Sequence, residues 1–330
     1  MIQSPLCIIN NGTTTVGVAP KAGGRVVLLC RDGGENVLKV DPVLLNGHRW
    51  RGKVTPLSRF EQWNGHTVWL GPQSDWWRYQ QVHPRRRSKA AVWPPDPFIE
   101  KAAYTVTHRD EHRISMRSPE SPISGVRLDK TVEVTPDGAV RFRVTATNTR
   151  AQPLSWDLWL NTRVDGYARC YVPFNGDGRC RIEGPRVKRK VKAEVIAHEN
   201  CDGFFTFVPQ RPSPHVPKRW AKAFLHPSDG LIAAFRGRDV LLIRFPRHEE
   251  DAIHPKQALV ELYNAVSHDR DDALLELEYH APYRTLEPGA SMTAEQTWEL
   301  HPYSGGESID EHRAFVREVG QDISQRRREP

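Results

Sequence analysis

No stretch of this 330-residue chain stays apolar long enough to cross a bilayer: the longest uninterrupted apolar runs are Val26 to Cys30 and Leu231 to Phe235. A membrane partner is not expected. The opening MIQSPLCIINNG also lacks a basic start followed by an apolar run, so no secretory leader is read there and a cytoplasmic location is the expectation. Cysteine is scarce and unpaired in pattern. Cys7, Cys30, Cys170, Cys180 and Cys201 are odd in number and nowhere form CxxC, which argues against a structural zinc site and against a disulfide framework. Cys170 and Cys180 flank a Gly-rich turn, but the reduced state is the expected one.

The usual catalytic signatures are missing too. There is no GxSxG, no P-loop, no GxGxxG entering a helix and no HExxH; His108 and His112 fall in what reads as a hairpin turn. Serine-hydrolase, nucleotide and dinucleotide chemistry drop out, and neither a metal nor a cofactor is expected. A one-sided charge is also lacking: 47 Lys plus Arg against 40 Asp plus Glu leave +7, too mild on this length to imply nucleic acid. Two local clusters, Arg85 to Lys89 and Arg186 to Lys192, read first as a solvated loop and an edge strand.

Long 3.6-residue periodicity is absent except at the tail. Twenty-three Gly and 26 Pro instead punctuate short β-branched or alternating runs, the pattern of an all-β chain. Strands are predicted at 25–30, 67–70, 102–107, 113–117, 126–134, 140–148, 154–161, 204–208, 231–235, 240–245, 259–264, 273–279 and 291–300. So many strands require two large sheets. The clearest hairpin joins LDKTVEV to AVRFRVTATN through TPDG, with Leu128, Lys130, Val132 and Val134 on one face. With no internal repeat and no compositional break, one β-sandwich domain over 1–303 is the reading, followed by a helical tail over 304–330. In that tail Ser308 and Glu311 have capping-box spacing ahead of an Ile309, Phe315, Val316, Val319 and Ile323 stripe.

What the chain has in excess is tryptophan. Ten are present, clustered at Trp63, Trp69, Trp76, Trp77 and Trp93, with Trp156 and Trp159 further on. Indoles stack on the C–H faces of sugars while planar polar groups take the hydroxyls, and GHTVWLGPQSDWWRYQQVHPRRR supplies both kinds. Filling a wide core is the competing use of the same residues. Trp76 and Trp77, if on a strand, point to opposite faces. Strand LSWDLWLNTRVDG sets Trp156, Leu158 and Leu160 against a polar face of Asp157, Trp159 and Asn161, continued by Arg163. On LLELEYHAP, Glu276 and Glu278 share a face, where mutual repulsion raises a carboxyl pKa and suits proton transfer; Glu261 stands on comparable terms upstream. His66, His83, His226, His254 and His280 remain as single acid groups.

Five segments in order, GGRVVLLCRDGGENVL, GHTVWLGPQSDWW, WPPDPF, SPISGVRLDKTVEV and LELEYHAPYRTLEPGASMTAEQTWEL, together resemble a bacterial branch of the galactose mutarotase-like superfamily from about residue 10 to 300. The resemblance implies a β-supersandwich that binds a small carbohydrate without a cofactor. It implies further that a late glutamate, matched best by Glu278, accepts the anomeric proton while a histidine protonates the ring oxygen. The central strand, where such a histidine is usual, carries Asn161 and Arg163 instead, leaving His83 or His66 to supply the acid. Trp69, Trp77 and Trp93 would stack, and Gln73, Arg78, Asn161, Arg163, Glu261 and Glu276 would meet the hydroxyls. The expected activity is aldose 1-epimerase-like; a non-catalytic sugar module, or an enzyme of acidic or phosphorylated sugars, are the alternatives. Oligomeric state is not read from the sequence.

Overall fold

Strict alternation organises the molecule. In Val126–Val134 every second side chain is buried, and Val140–Asn148 pairs with it antiparallel from Val134 opposite Val140, closing the expected hairpin. The computed structural model describes residues 6–45, 53–175, 180–185, 193–269 and 272–326, with side chains described up to 320. The basic run Arg186 to Lys192 and the Ile323 side chain lie outside the described residues.

Two sheets are stacked. One runs in the order Cys7–Asn10, Thr14–Ala19, Arg25–Arg31, His66–Gly71, Leu154–Asp165, Leu274–His280, Val260–Ser267, Lys218–Leu225, Cys180–Glu183, with Arg284–Leu286 and Ala193–Glu194 attached beside it. The other runs Ala197–Cys201, Phe204–Val208, Arg169–Pro173, Leu231–Arg236, Asp239–Arg244, Ser291–Pro302, Val140–Asn148, Val126–Val134, Arg113–Arg117, Thr105–Arg109. Each expected strand is present, within a few residues at its ends. Between the sheets Val68, Leu158, Leu160, Leu275, Leu277 and Tyr279 meet Val132, Phe142, Val144 and Trp298 in one continuous core. Among the described residues no helix is long and apolar enough to cross a membrane.

That core contains a cation. Lys130 sits on the inward face of Val126–Val134, fully buried, its Nζ donating to the Gly23 carbonyl at 2.8 Å and lying 4.8 Å from the Tyr104 ring. Burial, with Arg25 nearby, pushes its pKa down to about 7. The unfolded chain holds this proton up to its ordinary value of 10.5, so stability contributed here rises with pH between about 7 and 10 and is least below 7. Lys130→Met is expected to raise the unfolding free energy at pH 6 by about 1–3 kcal/mol and to flatten that slope. Urea unfolding at pH 6 and 9.5 reads both; a destabilised variant with the slope intact contradicts the account.

The tail forms the helix Ile309–Arg326, and Glu311 N donates to Ser308 Oγ at 3.2 Å as the capping box requires. Its Phe315, Val316 and Val319 cover Tyr171, Leu231, Phe235, Val240 and Leu242 on the outer face of the second sheet. His312 stacks on Phe235 at 3.8 Å and shares a hydrogen bond with the Tyr171 hydroxyl at 3.0 Å.

Candidate functional site

The outer face of the first sheet is built by register. Thr67 pairs with Asn161 and Trp69 with Trp159; Asn161 pairs with Glu278 and Arg163 with Glu276; Glu278 pairs with Glu261 and Tyr263 with Glu276; Lys222 pairs with Tyr263. Since alternate residues share a face, Trp69, Asp157, Trp159, Asn161, Arg163, Lys222, Glu261, Glu276, Glu278 and His280 gather on one side, and the apolar residues between them enter the core.

Glu278 is fully buried at the centre. Asn161 Nδ2 donates to its Oε1 at 3.0 Å, and the Lys222 ammonium faces its Oε2 at 3.1 Å while holding Glu261 Oε2 at 2.6 Å. Polar atoms of Glu261, Glu278 and His280 lie within 4.8 Å of one another. These are donors a divalent cation takes, but Lys222 already supplies the positive charge between the two carboxylates. His280, also fully buried, places Nδ1 3.4 Å from Asp157 Oδ1 and Nε2 3.5 Å from Glu261 Oε1.

Protons are unequally shared here. Burial pushes the Glu261 carboxyl up, but Lys222 and His280 outweigh it and hold the group down at about 2. For Glu278 burial wins over Lys222, helped by the neighbouring Glu276 and Glu261 charges, and its pKa rises to about 8. Burial lowers His280, yet Glu261 and Asp157 more than compensate and raise it to about 9. One carboxyl and one imidazole, at about 8 and about 9, thus titrate close to one another with Glu261 within 4.8 Å of both. The Gln257 side-chain amide lies 2.8 Å from His280 Nδ1, and a doubly protonated His280 donates from Nδ1 to the oxygen of that amide. Gly71 makes room for this cluster, since a Cβ there would lie 2.3 Å from Gln257 Nε2 and 2.5 Å from the Asp157 carboxylate, whose Oδ1 the Gly71 amide contacts. Proton NMR of the imidazoles is expected to show His280 titrating near pH 9 and Asp157→Asn lowering that midpoint. A wild-type midpoint below 7 would refute the assignment.

Beside the acids lies an aromatic group. Trp69 meets Trp159 at 5.1 Å, Trp76 at 5.6 Å and Trp93 at 6.4 Å between ring centroids, and Phe60 meets Trp93 at 4.7 Å. Arg163 lies 4.8 Å over Trp69 and Lys222 5.0 Å over Trp159, so cations already cover these two indoles. Trp69 Nε1 donates to Glu100 Oε2 at 2.7 Å; Glu100 closes the short helix Pro97–Glu100 and also pairs with buried Arg25. Of the three tryptophans expected to stack, Trp93 alone is well exposed, at 48%. Several buried polar atoms on this face have no hydrogen-bond partner among the described residues: Trp159 Nε1, Asn161 Oδ1, Asp157 Oδ2 and both terminal nitrogens of Arg163.

The structure therefore brings together Trp69, Trp93, Asn161, Arg163, Glu261, Glu276 and Glu278, and separates His66, His83, Gln73, Trp77 and Arg78 from them. His66 is corrected: it points into the inter-sheet core, sharing a hydrogen bond with Thr162 Oγ1 at 2.8 Å and packing on Phe142 and Trp298. Burial first, then the nearby Lys130, Arg163 and Arg25 charges, hold it well below the usual histidine range, so it cannot serve as acid to a group on the far face. His83 caps the helix Pro84–Ser88, its Nδ1 accepting from Arg86 N at 3.3 Å, and packs on Trp77. Trp77 is fully buried, with Nε1 donating to Pro94 O at 2.7 Å and Arg86 4.1 Å over its ring, so it offers no stacking face. Trp76 is buried as well; the two sit in a turn after the 3-10 helix Gln73–Asp75, not on a strand. Gln73 donates to Val92 O at 2.9 Å, and exposed Arg78 pairs with Asp75 at 3.6 Å. Lys222, Glu100 and Gln257 are additions that the sequence alone does not point to, Asp157 enters from the polar strand face already described, and His280 is the one of the five candidate histidines that reaches the acids. A cavity of about 630 Å³ bounded by Arg31, Arg141, Glu299 and His301 is lined by none of these residues.

The architecture is the galactose mutarotase-like sandwich. It is shared with a galactose mutarotase-like protein from Lactobacillus casei ATCC 334, at 12% identity and TM-score 0.54 over 90% of this chain and 100% of that one. A galactose mutarotase related enzyme from Lactobacillus acidophilus matches at 9% identity and TM-score 0.53 over 92% and 99%. At such identities the likeness is one of fold. Residues 6–301 match the model of a family described as a domain of unknown function, DUF4380. No curated protein matches the sequence.

Proposed function

Because the chain belongs to the DUF4380 family, whose description names no activity, we propose a function from the site itself: binding of a pyranose sugar on the outer face of the first sheet and interconversion of its anomers. The observation that carries this reading is the grouping of Glu278 with His280, a buried proton acceptor and a buried proton donor two residues apart on one face of Leu274–His280. Glu278 takes the proton from the C1 hydroxyl as the imidazolium of His280 gives one to the ring oxygen; the C1–O5 bond breaks and an open-chain aldehyde forms. Rotation about C1–C2 and the reverse transfers close the ring on the other face and restore both protons. Trp93 lends an exposed indole at the rim, and the unpaired Trp159, Asn161 and Asp157 atoms supply donors and acceptors for ring hydroxyls.

The base works ionised and the acid protonated, so exchange is expected to rise with pH towards about 8 and to fall beyond about 9, these midpoints belonging to the coupled group. Saturation-transfer NMR on anomerically pure sugars measures it. A rate equal to buffer at every pH, for every sugar tested, removes the enzyme reading. Binding by calorimetry without exchange would favour a sugar-holding module instead, a reading supported by the Lys222 ammonium on Glu278.

A further inference from the structure

Beyond Lys222 the outer face of the first sheet carries a second aromatic pair. Trp220 precedes Lys222 by two residues on Lys218–Leu225 and Tyr263 follows Glu261 by two on Val260–Ser267, so both rings share the face of Glu278 while their neighbours Ala221 and Leu262 enter the core. The rings meet at 6.0 Å between centroids, tilted by 39°, and both are half-buried. Neither the Tyr263 hydroxyl nor Trp220 Nε1 has a hydrogen-bond partner among the described residues. Burial first, then the Glu276 charge, pushes the Tyr263 hydroxyl up to about 12, so it stays a neutral donor. Apolar ring faces edged with open donors, on a surface that solvent reaches, suit the stacking of a sugar ring.

Register fixes where this pair stands relative to the acids. Glu276 and His280 flank Glu278 on opposite sides along Leu274–His280, and Tyr263 lies opposite Glu276, hence diagonal to Glu278 at about 7–8 Å. A pyranose with its C1 hydroxyl at Glu278 and its ring oxygen toward His280 turns C2 and C3 the other way, toward Glu276 and Tyr263. A substituent on C5 lies on the His280 side and leads away from the pair. Between the pair and Glu278 stand Lys222 and Glu276, at 18% and 13% side-chain exposure the most open of the charged groups gathered there. A single ring at Glu278 leaves Trp220 and Tyr263 uncovered; a second ring joined through C2 or C3 reaches them. Resting on the sugar reading above, we propose that the ligand is an oligosaccharide whose reducing pyranose faces Glu278 and whose next residue, linked through the C2 or C3 oxygen, stacks on Trp220 and Tyr263.

The test sets the disaccharides of glucose and of galactose joined through C2, C3 or C6 against the two monosaccharides, by calorimetry and by anomer exchange. A disaccharide joined through C2 or C3 is expected to bind about tenfold more tightly than its monosaccharide, and one joined through C6 no more tightly. Trp220→Ala and Tyr263→Ala should each lose most of that advantage. Thermal melts establish that each variant is folded; should either fail to fold, the linkage dependence of the parent protein decides alone. Equal affinity for monosaccharides and all disaccharides, preference for the C6 linkage, or an advantage kept in both folded variants overturns the proposal while leaving anomer exchange of monosaccharides standing. Neither binding nor exchange of any sugar would take down both readings.

Discussion

Replacing Glu278 with glutamine is expected to slow anomer exchange by about 10²–10⁴-fold while leaving the protein folded. Glutamine keeps the volume of a fully buried residue and one oxygen to accept from Asn161 Nδ2, but its amide nitrogen then faces the Lys222 ammonium, which retains Glu261 as its partner. What disappears is the ability to hold a proton. The carboxyl also carries a burial penalty that raises its pKa to about 8, and a neutral amide does not, which offsets the lost Lys222 contact and keeps the variant folded, as a thermal melt would read. The rising limb of the pH–rate profile should vanish along with the rate. A variant that exchanges anomers at the parent rate would show that Glu278 is not the base.

Lys222→Met should produce the largest loss of stability among single changes at the site, about 3–5 kcal/mol at pH 8. The ammonium is the common partner of two carboxylates with 3% and 0% side-chain exposure, and methionine leaves both buried against the Trp159 ring without it. The pH dependence has a definite sign. In the parent protein Glu261 is held at about 2, so its contribution is present above the ordinary carboxylate value of 4.5 and is lost as pH falls through 2. Without Lys222 both carboxyls are raised in the folded state, and stability declines as pH climbs above 4.5. The gap between the two proteins therefore widens from pH 5 to pH 8, which urea unfolding at each pH would reveal. A gap that stays constant or narrows would mean that Lys222 does not balance these acids.

The fold was legible because β-branched and alternating runs mark strands wherever they occur, and 126–134, 140–148 and 291–300 carry that pattern plainly. Lys218–Leu225 escaped because KRWAKAFL is rich in lysine and alanine, residues that favour helix, and tertiary pairing with Val260–Ser267 overrides them. Lys222 was lost with it. Other parts of the site were written in the sequence and passed over. In LLELEYH, His280 shares parity with Glu276 and Glu278, while His66 shares parity with Val68 and Leu70, so two-residue periodicity alone separates the useful histidine from the core one. What periodicity does not carry is which strands lie side by side. Asp157 reaches His280 only because Leu154–Asp165 pairs with Leu274–His280, a neighbour more than a hundred residues away along the chain.

The helix Ile309–Arg326 lies on the sheet that does not bear the site, and its part in the molecule is that of waterproofing. Ending the chain at 303 would strip the cover from Tyr171, Leu231, Phe235, Val240 and Leu242, leaving a contiguous greasy surface that drives copies to clump while the face that bears Glu278 stays whole.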